Sequence, residues 1–235
     1  MHNNSFKRLA LFDLDHTLLP LDSDYHWAQY LAKAGHVGDP KEALQRNQAL
    51  MDKYNAGTLT ADETYSFMLG LLTYGDEETL KRWHADYMKS VILPAIHKPA
   101  IDLLDKHRDQ GDVCVIVTAT NEFVTRPIAD ALAVKHLIAT LAEKQGNRYT
   151  GKVKGIPSYQ EGKVHRVHAW LADRNEQWDQ YDEIWFYSDS MNDLPLMEAA
   201  SHPVATNPSP ALRKLAQERG WPILDLFDDL LDNKS

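Results

Sequence analysis

The chain has 235 residues and a formal net charge of −9, which disfavours nucleic acid or an anionic membrane as a partner because both need a basic footprint. With 43% hydrophobic and 25% charged residues, it reads as globular and long enough for one α/β domain or a core with a smaller module. The single cysteine, Cys114, sits in the apolar run VCVIV. That run is far short of the ~18 residues that span a bilayer, and a lone buried thiol fits a reducing, cytoplasmic setting.

The amino terminus, basic ahead of a short apolar stretch that acidic residues soon interrupt, does not read as a signal peptide. Leu9 to Phe12, with Leu14, reads as a strand buried on both faces, and Asp13 and Asp15 stand at its carboxyl end, where open α/β sheets place their ligands. After Pro20 the period changes. Trp27, Tyr30, Leu31 and Ala34 recur at helical spacing up to Gly35. A second helix from about Pro40 to Asn55 puts Leu44, Met51 and Tyr54 on one side, and a third opens on the capping box Thr60 and Glu63. The fourth begins near Asp76 and carries Leu80, Trp83, His84 and Tyr87. Residues 20–92 are therefore expected to form a small helical bundle inserted between the first two strands of a core made of 1–19 and 93–235.

Pro99 and Gly111 frame a helix ahead of the second strand, Val113 to Val117, which ends in the polar run Thr118, Ala119, Thr120 and Asn121. The helix to Leu132 contains Pro127, which predicts a start later than Asn121 or a kink. Leu137 to Leu141 reads as a strand, and Gly146, Asn147, Tyr149 and Gly151 as a surface hairpin. Gly162 and Lys163 lead a helix to about Arg174, and Glu183 to Tyr187 is a strand ending in SDSMND. A helix LPLMEAA, a strand Pro203 to Thr206, a helix Ala211 to Arg219 stopped by Gly220 and a strand Pro222 to Leu224 complete the pattern. Alternating strands and helices predict a Rossmann-like, mainly parallel sheet covered by helices.

Three strand ends thus carry polar groups: Asp13 and Asp15, Thr118, and Asp189 with Asp193. If those strands are neighbours, the groups meet in one crevice that Lys163 can reach. Hard oxygen donors without cysteine or histidine suit magnesium. A phosphate monoester resists attack by a carboxylate until its charge is cancelled, and a metal ion plus Lys163 would do that. Asp13 is then the candidate nucleophile and Asp15 the acid and base. Thr118, the adjoining backbone N–H of Ala119 and Lys163 are the candidate phosphoryl holders, Asp189 completes the metal site, and Asp193 orders waters or Lys163.

These residues resemble the four motifs of the haloacid dehalogenase-like hydrolases, in particular the phosphoserine-phosphatase-like branch with a helical cap. DLDHT matches the first motif, Thr118 the second, Lys163 the third and SDSMND the fourth. The resemblance implies magnesium held by Asp13, Asp189 and the carbonyl of Asp15, and a phosphate-assisting or substrate-assisting role for Asn192. TATN and SDSMND depart from the serine with two glycines and the GDGxND of phosphoserine phosphatases, which counts against phosphoserine itself. The branch's recognition glutamate aligns with Asp22, beside Asp24. These two acids either meet a substrate ammonium, as in histidinol phosphate, or merely cap the first inserted helix. The expected partner is a small phosphorylated metabolite. A phosphotransferase or a non-catalytic binding protein is the alternative, and a carbon–halogen hydrolase has no use for Asp15.

Other patterns carry less. Gly162–Lys163 lacks the remaining residues of a nucleotide-binding loop. His165 and His168 lie one turn apart without a third ligand, so a solvated or core-edge helix is expected rather than zinc. His16 fills a variable motif position.

Overall fold

The computed structural model describes residues 6–228, without the side chains of Tyr54 and Asn55, so the expected place of Tyr54 on one side of the second helix lies outside the description. Strand β1 (Arg8–Phe12) has neighbours on both sides, in a six-stranded sheet of order β3-β2-β1-β6-β7-β8. The other strands are β2 (Val113–Asn121), β3 (His136–Thr140), β6 (Glu183–Ser188), β7 (His202–Thr206) and β8 (Ile223–Leu224). Every pairing in this sheet is parallel, with Leu11 opposite Val115 on one side and Phe186 on the other.

Alternation explains the unbroken apolar run of β1. Leu9 and Leu11 pack with Val115, Val117, Phe186 and Val167 on one face. Ala10 and Phe12 join Ile116, Tyr187 and Leu104 on the other, so neither face tolerates a polar residue. These faces are covered by α6 (Lys98–Asp109), α7 (Glu122–Ala131), α8 (Glu161–Asp173), α9 (Leu194–Ala199) and α10 (Pro210–Arg219). The fold is the expected α/β arrangement. β1 stops at Phe12 rather than running on, yet Leu14 remains fully buried.

Between β1 and β2 the chain forms α1 (Ser23–Lys33), α2 (Pro40–Asn55), α3 (Ala61–Gly70), α4 (Glu77–Tyr87) and the short α5 (Leu93–Ala95). Their starts follow from side-chain caps. Asp22 accepts from the Tyr25 N–H, Thr60 and Glu63 form the reciprocal box, and Asp76 accepts from the Thr79 N–H, each satisfying an otherwise orphaned backbone donor.

The structure corrects one expectation and adds detail to two others. β2 runs on to Asn121, with its register against β3 shifting after Val117, so the polar residues belong to the strand itself. α7 starts directly after Asn121, at Glu122, with Pro127 inside it. The cap compensates, since the Asn121 side chain accepts from the Val124 N–H and Thr125 Oγ1 donates to the Asn121 carbonyl. Finally, the expected hairpin is present as β4 (Ala142–Gln145) and β5 (Arg148–Val153), with its turn exposed and one side seated on the inserted helices. Tyr149 packs among Leu69, Leu72 and Leu80, and the Glu77 N–H donates to the Asn147 carbonyl. The stripe of α3 is therefore shared between helices and hairpin rather than buried in a closed bundle. Cys114 is half-buried, and burial pushes its thiol up to about 11.

Candidate active site

Asp13 leaves the end of β1 with its N–H donated to the Tyr187 carbonyl of β6, which sets its side chain over the carboxyl edge of the sheet. Lys163 comes from the opposite direction, in the first turn of α8. Its Nζ donates to Asp13 Oδ1 and to Asp193 Oδ2, both at 2.7 Å, and only 2% of the residue is exposed. Ser188 Oγ also donates to Asp193 Oδ2, and Thr17 Oγ1 to Asp13 Oδ2. First, third and fourth motifs are thereby joined through one ammonium.

Asp15 is fixed separately. Its Oδ1 accepts from the Ser23 N–H and its Oδ2 from Thr120 Oγ1, each at 2.8 Å. Thr118 is buried and its Oγ1 accepts from the Thr120 N–H. Asn192 accepts at Oδ1 from the Tyr159 hydroxyl. Asp13, Asp15, Asp22, Asp24, Thr118, Ala119, Lys163, Asp189, Asn192 and Asp193 all border one cavity of about 190 Å³, together with Asn47 of α2 and Tyr65 and Met68 of α3. The exposed His16 also reaches its rim.

Lys163 owes its position to a tight turn. Gln160 takes a left-handed backbone (φ 50°), and Gly162 passes so close to Pro157 that a Cβ there would stand 2.1 Å from the Pro157 carbonyl oxygen. Gly162→Ala is thus expected to push the 157–162 turn outward and Lys163 with it, costing about 1–3 kcal/mol of stability and at least about tenfold in turnover. Urea unfolding and steady-state kinetics check both.

The electrostatics are lopsided, since six aspartates border the cavity against Lys163 as its one lysine or arginine. Burial, opposed by Lys163, raises Asp13 to about 7. Burial with Asp13 and Asp193 raises Asp189 to about 9. Burial and Asp22 raise Asp15 to about 6, and burial with Asp22 and Asp15 raises Asp24 well above its ordinary value. Lys163 goes the other way. Burial works against its charge, but Asp13 and Asp193 outweigh it and hold the ammonium above the usual lysine range. A pocket this short of positive charge suits a hard cation. Among the described residues no three or more Asp, Glu, His or Cys side chains surround one point. A magnesium ion therefore needs the two carboxylates of Asp13 and Asp189 completed by a backbone carbonyl and water, which is a fitting donor set for it. Asp15 is a poor side-chain ligand because both its oxygens are engaged.

Every residue singled out from the motifs borders this cavity. Thr120, Ser188, Tyr159 and Asn47 were not singled out. Thr120 lies two residues beyond Thr118 on the same strand, where period-two alternation could have pointed to it. Asn47 interrupts the apolar stripe of α2 between Ala43 and Leu50, a signal of the same kind. Among the described residues no third Asp, Glu, His or Cys joins His165 and His168 in a cluster, and His168 packs at 5.2 Å on Trp178.

Comparison with known proteins places the chain in a family. The family model of the haloacid dehalogenase-like hydrolases matches residues 10–198. The chain belongs to that family, and it is an enzyme of the family's phosphatase branch. A histidinol-phosphatase of Neisseria meningitidis is 40% identical over 220 residues, covering 93% of this chain and 99% of that one. A crystal structure of a protein of unknown function from Bordetella pertussis Tohama I superposes with a TM-score of 0.92 at 54% identity, over 95% of this chain and 100% of that one. A substrate-bound phosphoserine phosphatase shares the fold, with a TM-score of 0.68 at 16% identity over 94% and 93% of the two chains. No helix among the described residues is long and apolar enough to cross a membrane.

Proposed function

We propose that the chain is a magnesium-dependent phosphatase that hydrolyses a small phosphate monoester, histidinol phosphate being the foremost candidate, through an aspartyl-phosphate on Asp13. The observation that carries this reading is the double pairing of Lys163 with Asp13 and Asp193, which unites distant motifs over one strand edge. The histidinol-phosphatase relative supports the choice of substrate.

In the first step an Asp13 carboxylate oxygen bonds to phosphorus while the bond from phosphorus to the leaving oxygen breaks, and Asp15 gives that oxygen its proton. In the second, Asp15 takes a proton from water, the water oxygen bonds to phosphorus, and the acyl-phosphate bond breaks to release phosphate and the Asp13 carboxylate. Asp15, raised to about 6, is matched to giving and then taking a proton near neutral pH. The Ser23 N–H and Thr120 Oγ1 keep it aimed. Lys163, Thr118 and the backbone at Ala119 hold the phosphoryl oxygens, and Asp193 steadies Lys163. Asp13, Asp189 and the Asp15 carbonyl would hold magnesium. Bound there, the ion supplies the positive charge that keeps Asp13 ionised and offsets the charge of the phosphate. The inserted helices of 20–92 serve as a cap that roofs the core of 1–19 and 93–235 and excludes bulk water.

A screen of phosphorylated metabolites, including histidinol phosphate, phosphoserine and sugar phosphates, with magnesium and again with chelator, tests this. Release of phosphate from histidinol phosphate only in the presence of the metal is expected. Equal release with chelator would remove the metal from the reading, and no release from any ester would end it. In the same protein, magnesium at a hundredfold excess over its dissociation constant is expected to add about 2.7 kcal/mol of stability, seen as a higher Tm than in chelator.

A further inference from the structure

The cavity wall formed by the inserted helices holds a buried polar atom that nothing in the fold satisfies. Asn47 of α2 is 1% exposed and borders the cavity. Its Nδ2 donates to the Tyr25 carbonyl of α1 at 3.1 Å, whereas its Oδ1 has no partner. The amide cannot simply be turned over, because that would set Oδ1 against the Tyr25 carbonyl oxygen. So the side chain is pinned with its acceptor unused, and a buried acceptor without a donor is costly unless something supplies one.

The groups around it indicate what that donor belongs to. Asp22 and Asp24 border the same cavity. Asp22 spends Oδ1 on the cap of α1 and keeps its other oxygen without a fixed donor, and Asp24, close behind it, accepts at Oδ1 from Asn121 Nδ2 at 3.1 Å. On this side of the cavity every charged side chain is an acid. Lys163, on the sheet side, is already engaged by Asp13 and Asp193. A leaving group with its own carboxylate would find no cation here, while one with a protonated amine would meet two acids and a waiting acceptor.

We infer that Asn47 determines specificity: its Oδ1 accepts a hydrogen bond from an N–H of a cationic leaving group whose charge lies against Asp22 and Asp24, so that the substrates are phosphorylated amino alcohols without a carboxylate. This rests on the phosphatase reading and deepens it. Tyr25, Leu50, Met51, Leu59 and Met68 supply the apolar remainder of the wall, against which the carbon skeleton of such a group packs.

The test compares histidinol phosphate, whose leaving group is cationic, with p-nitrophenyl phosphate, whose leaving group is not, in the magnesium-loaded enzyme. For Asn47→Leu, the ratio of kcat/KM for the first substrate to that for the second is expected to fall about tenfold to a hundredfold, with the loss in KM rather than kcat for histidinol phosphate. Asn47→Asp keeps the acceptor but loses the bond to the Tyr25 carbonyl, and it is expected to hold the ratio within about threefold of the parent. A purely structural Asn47 gives the opposite pattern, in which both variants lose activity on both substrates in parallel and the ratio stays put; that result overturns the inference. So does a parent enzyme that prefers phosphoserine to histidinol phosphate. Failure to hydrolyse p-nitrophenyl phosphate or any other ester would instead strike at the phosphatase reading beneath it.

Discussion

Asp13→Asn is expected to lower metal-dependent phosphate release by about 10³-fold or more, because an amide cannot form the acyl-phosphate on which both proposed steps depend. The fold should survive. Lys163 retains Asp193 as its partner, so no buried ammonium is left alone. Stability also carries a sign that can be checked in chelator. Burial raises Asp13 from 3.8 to about 7, so the folded protein binds a proton there more readily than the unfolded chain. Its contribution is therefore greatest at low pH and is lost as pH rises through that window. The asparagine variant lacks this loss, and in chelator at pH 8 it should melt at or above the parent. Turnover close to that of the parent would remove Asp13 from the nucleophile's role, and a collapse of Tm would show that its carboxylate is needed for the fold.

Lys163→Met is expected to be the more damaging change. It removes a fully buried cation and leaves Asp13 and Asp193 without their ion pair, a loss of about 3–5 kcal/mol in buried pairs, together with essentially all turnover. Lys163 is the group that holds Asp13 down against burial, so without it the carboxyl rises further. The deficit relative to the parent should then be larger at pH 8, where folding forces unpaired charges together, than at pH 5, where protons neutralise them. Urea unfolding at the two pH values in chelator measures this. An equal deficit at both would mean that packing of the lysine stem, not its charge, is what the site needs.

Much of this arrangement was legible in the chain because the chemistry sits at strand ends and strand ends are marked by abrupt changes in polarity. Asp13, Asp15, Thr118 and Asp189 each follow an apolar run, and the parallel order of β2, β1 and β6 brings them together as such sheets do. Lys163 was legible by its place at a helix start. Features set by distant contacts were not. Nothing near Tyr149 announces Leu69, Leu72 and Leu80 as its neighbours, so the hairpin was legible but its seat was not. Pro127 pointed to a start of α7 later than Asn121 or a kink, and the helix begins one residue on, under a cap built by Asn121 and Thr125 that the spacing did not announce. Asp22 and Asp24 read as equivalent until the capping bond to Tyr25 separated them, and the idle acceptor of Asn47 depends on a helix-to-helix bond that spacing alone does not reveal.

The seating of the hairpin against α3 and α4 has a kinetic corollary. The inserted helices that border the cavity are fastened not only by their two covalent links to the sheet but also at Asn147 and Tyr149, some way downstream along the chain. Local opening of these helices has to break this third anchorage, so amide deuterium uptake at Glu77 and along the hairpin should rise and fall in step. Tyr149→Ala should quicken exchange at both while sparing the amides of β1.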